Sequence, residues 1–148
     1  MRDTIFRGKR KDNDEWTEGY FFKSWDRTFL LWGMTDNRPN MIEVIPKTVE
    51  QFTGLVDKNG RKIFEGDVIK ITSAVKGEII GDTRTFKSEK REDFAVVLWD
   101  YKTGGYKLKV YHKGKYKRIS KFTIWHLLAY EAEIIGNIYT TKVVLENE

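Results

Sequence analysis

Cysteine is absent from the 148 residues, which removes disulfides, Cys-ligated zinc, iron–sulfur clusters and thiol catalysis together. Proline occurs only twice, against twelve glycines, so collagen-like and Pro-rich linker chains are excluded while frequent turns are not. Histidine is equally scarce. His112 and His126 stand far apart with no carboxylate at a metal-ligand interval, whereas zinc needs three or four converging ligands. His112 reads instead as part of a basic turn and His126 as a partly buried side chain. No apolar run approaches the roughly 18 residues of a membrane span, and the opening MRDTIFRGKRK has no apolar stretch of the secretory kind. A phosphate cradle is missing too, because Gly77-Glu78-Ile79-Ile80-Gly81 is not followed by Lys-Ser/Thr. Asp12, Asp14 and Glu15 lack the glycine and distal glutamate of a calcium loop. The expectation is a soluble, cytoplasmic protein with no membrane contact, no cofactor and no small-molecule substrate.

Hydrophobic residues make up 40% of the chain and aromatics 14%, which excludes disorder throughout. A chain this long favours one domain over residues 1–148, burying roughly 70% of the surface its unfolded form exposes. The hydrophobic period is mostly two. In Phe94–Asp100, Phe94, Val96 and Leu98 alternate with Ala95, Val97 and Trp99, so both faces are apolar and a central strand is implied. Lys102-Thr103-Gly104-Gly105 follows as a turn. Tyr106, Leu108 and Val110 then face inward and Lys107 and Lys109 face water, before a second turn at His112–Lys115 returns the chain into Tyr116–Ile119.

Asp57-Lys58-Asn59-Gly60 signals a tight hairpin with positive φ at Gly60. Pro46–Gln51 fits one helical turn capped by Thr48 and boxed by Gln51. Residues 73–93 are polar and read as a long loop or an exposed hairpin arm, while Ser120–Tyr130 fits a short helix or a strand equally. Many short strands with frequent turns imply an all-β fold, a small barrel or meander of antiparallel strands with at most one short helix.

The net charge of +5 is unevenly placed. Residues 1–60 hold ten basic and ten acidic groups and residues 61–100 hold eight of each, so the whole excess lies after residue 100. Residues 101–121 carry eight cations and no acid. A field of one sign attracts nucleic acid, anionic lipid or an acidic protein. The plainer alternative is a solvated strand whose lysines deter edge-to-edge aggregation.

Phe6-Arg7-Gly8-Lys9-Arg10, followed by Trp16-Thr17-Glu18-Gly19-Tyr20, resembles the opening of the YopX family of phage and prophage proteins. The middle is more specific: Thr48–Leu55, then Asp57–Gly60, then Ile63-Phe64-Glu65-Gly66-Asp67-Val68-Ile69. Ile135-Gly136-Asn137-Ile138-Tyr139 is similar to the family's closing motif, although Thr140-Thr141-Lys142-Val143 replaces the acidic residue, Asn and Pro expected after it. The resemblance implies a mostly β fold, a phage or prophage origin and residence in a bacterial host cell. It transfers no reaction, substrate or catalytic residue. Gly54 and Gly66 suit sharp turns or close backbone approach, and Asp67 suits a side chain that ties down turn amides.

A metal-dependent nuclease would need two or three clustered carboxylates. Asp93, Asp100 and Lys102 are the nearest approach to that set, but Asp100 precedes a Gly-Gly turn where Asp is common for turn reasons alone. The expectation is therefore no enzyme. Binding is the better class. The basic hairpin mixes cations with aromatics, and Lys107, Lys109, Tyr111, Lys113, Lys115, Lys117 and Arg118 form its candidate nucleic-acid-binding set. Arg118 is the one arginine there, so phosphate contact without base reading is implied. The alternative is a homo-oligomeric structural or assembly protein, since 21 aromatics is a large number for one small β protein.

Overall fold

Period-two alternation becomes strand almost wherever it occurs. The computed structural model describes residues 3–75, 89–112, 115–120 and 131–141. The strands are β1 (Phe6–Lys9), β2 (Trp16–Ser24), β3 (Arg27–Thr35), β4 (Arg38–Glu43), β5 (Glu50–Val56), β6 (Lys62–Phe64), β7 (Asp67–Val75), β8 (Glu89–Asp100), β9 (Gly105–His112), β10 (Lys115–Ser120) and β11 (Glu133–Asn137). They form two open antiparallel sheets, ordered β4-β3-β2-β1-β5-β6 and β10-β9-β8-β7-β11. The all-β expectation holds as a meander; of its two forms, no closed barrel is found among the described strands. The chain gathers into two compact units, Met1–Leu55 with Lys62–Glu65, and Val56–Arg61 with Gly66–Glu148.

In the first unit, β1 pairs with β2 on one side and with β5 on the other. Asp36 and Asn37 both have positive φ and close the two-residue β3–β4 turn, the backbone shape that matches strand twist. Leu30, Val44, Ile63 and Phe64 are fully buried, each stabilising by roughly 1.5–3 kcal/mol before entropy is counted. The helical turn is real but short, a 3-10 turn at Pro46–Thr48, and its cap is Ile45 without a side-chain bond. Thr48 closes the turn instead of opening it: its hydroxyl donates to the Ile45 carbonyl at 2.7 Å and accepts the Lys9 amide at 2.9 Å. Val49 is already extended and Gln51 lies in β5 opposite Phe6. Strand pairing with β1 therefore overrides the capping box.

The second unit is built on β8, which pairs with β7 and β9 and is central as its two-faced apolarity requires. One face holds Val68, Val96 and Tyr111, with Phe94, Leu98 and Ile138 against them. The register puts Ile69, Ala95, Val97, Leu108, Val110 and Ile134 at the opposite parity, and all six are buried. β7 and β8 continue as a hairpin arm through the Val75–Glu89 pair. Residues 76–88, the middle of the stretch read as a loop or an arm, lie outside the described residues, as do residues 121–130.

Two polar side chains fix turns here. Asp57 accepts the Asn59 and Arg61 amides, each at 2.9 Å, and the Ile134 amide at 3.1 Å. Gly60 has φ +78° and its amide donates to the Asp57 carbonyl, while Asn59 is not left-handed. The turn is thus a three-residue type I form with glycine at the left-handed position, the next most common hairpin closure after the two-residue turn. Asn137 accepts the Tyr139 and Thr140 amides at 2.9 and 3.1 Å. Gly66 meets two backbones at once, donating to the Val97 carbonyl and accepting from the Ile138 amide. Its φ of +78° is one that L side chains avoid.

Candidate functional site

β9 and β10 pair antiparallel, and β10 is an edge strand of its sheet among the described residues. Lys115 stands opposite His112 and Tyr116 opposite Tyr111, then a register shift sets Arg118 opposite Val110. That bulge leaves Lys117 as the extra residue of the β9–β10 pairing. Lys113 lies outside the described residues.

On β9 the side chains are engaged within their own sheet. The Lys107 ammonium lies 3.3 Å from Asp100, and the Lys109 ammonium lies 5.6 Å from the centre of the Tyr111 ring. Tyr111 is only 2% exposed and belongs to the apolar cluster with Val68 and Val96. Lys107 and Lys109 share their face with that cluster and are half-buried. The alternation was legible; that β9 has packing on both faces was not, because Lys at every second position imitates a water-facing edge. A base cannot stack on Tyr111 where it stands.

Asp100 behaves as a turn-former. Asp100 accepts the Lys102 amide at 3.2 Å and the Thr103 hydroxyl at 3.1 Å. The Lys102 amide holds its carboxyl below the ordinary range, with Thr103 and Lys107 adding to the effect and partial burial opposing it. Asp93 sits seven positions back on the same strand, hence on the opposite face and roughly 23 Å away. The two do not converge. No group of three His, Asp or Glu side chains able to hold a metal gathers among the described residues.

A second surface was not singled out from sequence. On β2 to β4, Tyr20, Leu31 and Met41 are register partners in one row across three strands, and Phe22, Phe29 and Glu43 form the next row on the same face. Tyr20, Phe22 and Met41 are exposed. At the β2–β3 turn Trp25 is 94% exposed with φ +50°, an unfavourable region for a bulky L side chain. The sequence signal was present: Tyr20-Phe21-Phe22 is apolar at both parities, more than one core face can take.

The family model described as YopX protein matches residues 5–146, nearly the whole chain. No curated protein matches it.

Proposed function

The chain belongs to the YopX family, and from that premise we propose a non-enzymatic phage or prophage accessory protein whose basic β9–β10 hairpin binds nucleic-acid phosphates without reading sequence. One observation carries the reading: the only stretch with eight cations and no acid, residues 101–121, has its described part folded largely as one hairpin at a sheet edge. Phosphate neutralisation needs cations at an accessible strip and nothing more. Lys107 and Lys109 already have partners within the sheet. The proposed contact therefore rests chiefly on the turn and β10, with Lys113, Lys115, Lys117 and Arg118.

If about four phosphates are neutralised, log affinity for duplex DNA falls with log salt at a slope of roughly −3 to −4. Replacing Lys113, Lys115 and Lys117 by Gln flattens the slope and leaves the melting temperature nearly unchanged. Replacing Lys107 has less effect on binding, since its charge is spent on Asp100. Wild-type protein with no salt-sensitive binding near micromolar concentration removes this reading. Labelled DNA incubated with magnesium or manganese remains intact if the role is non-enzymatic; cleavage lost in Asp100→Ala would overturn that.

The second reading is homo-oligomeric assembly. The exposed aromatic and methionine side chains of β2 to β4 favour it.

A further inference from the structure

We infer that Tyr101, in the β8–β9 turn, stacks on an unpaired base, so that the ligand of the basic hairpin is a single-stranded nucleic acid. The inference rests on the phosphate-binding reading and names its substrate class.

A scattered exposed aromatic is ordinary; the surroundings of Tyr101 set it apart. The acid-free basic stretch, residues 101–121, begins with it. Burial then sorts the described rings of that stretch. Tyr111 is 2% exposed and Tyr106 is half-buried, whereas Tyr101 is 90% exposed. Of these three rings, Tyr101 is the one whose face a base can reach. Its neighbour Lys102 is exposed as well. A cation beside an open ring matches the two parts of a nucleotide, phosphate for the one and base for the other.

The turn gives the ring a fixed support. Asp100 pairs with Gly105, and the Gly104 amide donates to the Asp100 carbonyl at 2.8 Å. The Asp100 carboxylate also takes the Lys102 amide and the Thr103 hydroxyl. Its charge is met by the Lys107 ammonium at 3.3 Å, so the acid at the foot of the turn repels phosphate little. Side chains at Gly104 and Gly105 would meet nothing within 4 Å, which leaves open space along the backbone of the turn. A support ordered before binding loses less freedom on binding.

Strand register links the ring to the cations. β10 runs from Lys115, opposite His112, to Ser120, opposite Leu108, and so leads back along β9 towards the β8–β9 turn. Arg118 stands opposite Val110, five residues from Gly105 and roughly 17 Å along the strand. A few extended nucleotides cover that span, with phosphates along β10 and a base at Tyr101. A duplex cannot use the ring, because its bases already cover one another's faces, and an anionic lipid surface has no flat ring to offer.

Fluorescence anisotropy of the full chain with labelled strands of about twelve nucleotides tests this. The probes are oligothymidylate and oligouridylate, each beside an abasic strand of the same sugar and length. Wild type should bind a base-bearing strand about tenfold more tightly than its abasic control. Whichever of the two binds better identifies DNA or RNA as the source. Tyr101→Ala should cut that preference about fivefold or more while leaving the salt slope and the melting temperature unchanged. Tyr101→Phe should keep the preference, because stacking uses the ring and not the hydroxyl. Base-bearing and abasic strands bound equally by wild type, or a preference that survives Tyr101→Ala, overturn the stacking and leave the phosphate reading standing. No salt-sensitive binding of any strand overturns both.

Discussion

Arg7 and Glu50 stand opposite one another in the β1–β5 ladder, joined by a 2.6 Å ion pair whose carboxylate side chain is only 5% exposed. The guanidinium also lies 5.0 Å from the Trp16 ring centre and 4.7 Å from that of Phe64. Planar, weakly hydrated Arg suits such a slot and Lys does not.

Breaking that pair from one side leaves a buried charge uncompensated. Glu50→Ala is expected to destabilise the protein by about 3–5 kcal/mol, and Arg7→Met by a similar amount. The double replacement Arg7→Met with Glu50→Leu should recover most of the loss, since two apolar groups need no partner. Urea unfolding of the three variants measures it. Additive losses in the double variant would show that the pair is not the unit of stability.

Two glycines should fail for different reasons. A side chain at Gly60 meets nothing within 4 Å but must adopt φ +78°, so Gly60→Val costs about 1–2 kcal/mol through backbone strain. A Cβ at Gly19 would lie 2.5 Å from the Leu31 carbonyl oxygen, and Gly19→Ala forces β2 and β3 apart at about 1–3 kcal/mol. Amide exchange separates the two: protection falls along the β2–β3 ladder only for Gly19→Ala.

Acid should act through carboxylates that are hydrogen-bonded in the fold. Hydrogen bonds from Arg27 and then Lys11 lower the Glu43 carboxyl from 4.5 to about 2. Asp57 is also held low: burial opposes its charge, but the Arg61, Ile134 and Asn59 amides outweigh it. Both folded values lie below the unfolded ones, so this stability is complete above the unfolded pKa and is lost as pH falls through the folded one. A carboxylate NMR titration should place the Glu43 midpoint near 2, and Arg27→Gln should raise it more than Lys11→Gln. A wild-type midpoint close to the ordinary Glu value would refute the network.

The β-meander was legible because its signals are local. Gly60 and the two-faced Phe94–Asp100 run each specify their structure within a few residues. What stayed hidden depends on distant partners. Thr48 looked like a cap until β5 paired with β1, and Tyr111 looked like a ribbon aromatic until Val68 and Val96 packed on it. Trp25 illustrates the same limit, since its backbone angle comes from the two-residue connection between Ser24 and Arg27 and leaves no trace in composition.

The path of the chain through its two units bears on inheritance. Residues 56–61 belong to the second unit, whereas the stretches on either side, up to Leu55 and over Lys62–Glu65, belong to the first. A genetic crossover falling between Val56 and Glu65 would leave each unit partly native and partly foreign. The hairpin at Asp57 thus acts as a stitch, making the two halves one cargo in any exchange of sequence at that point.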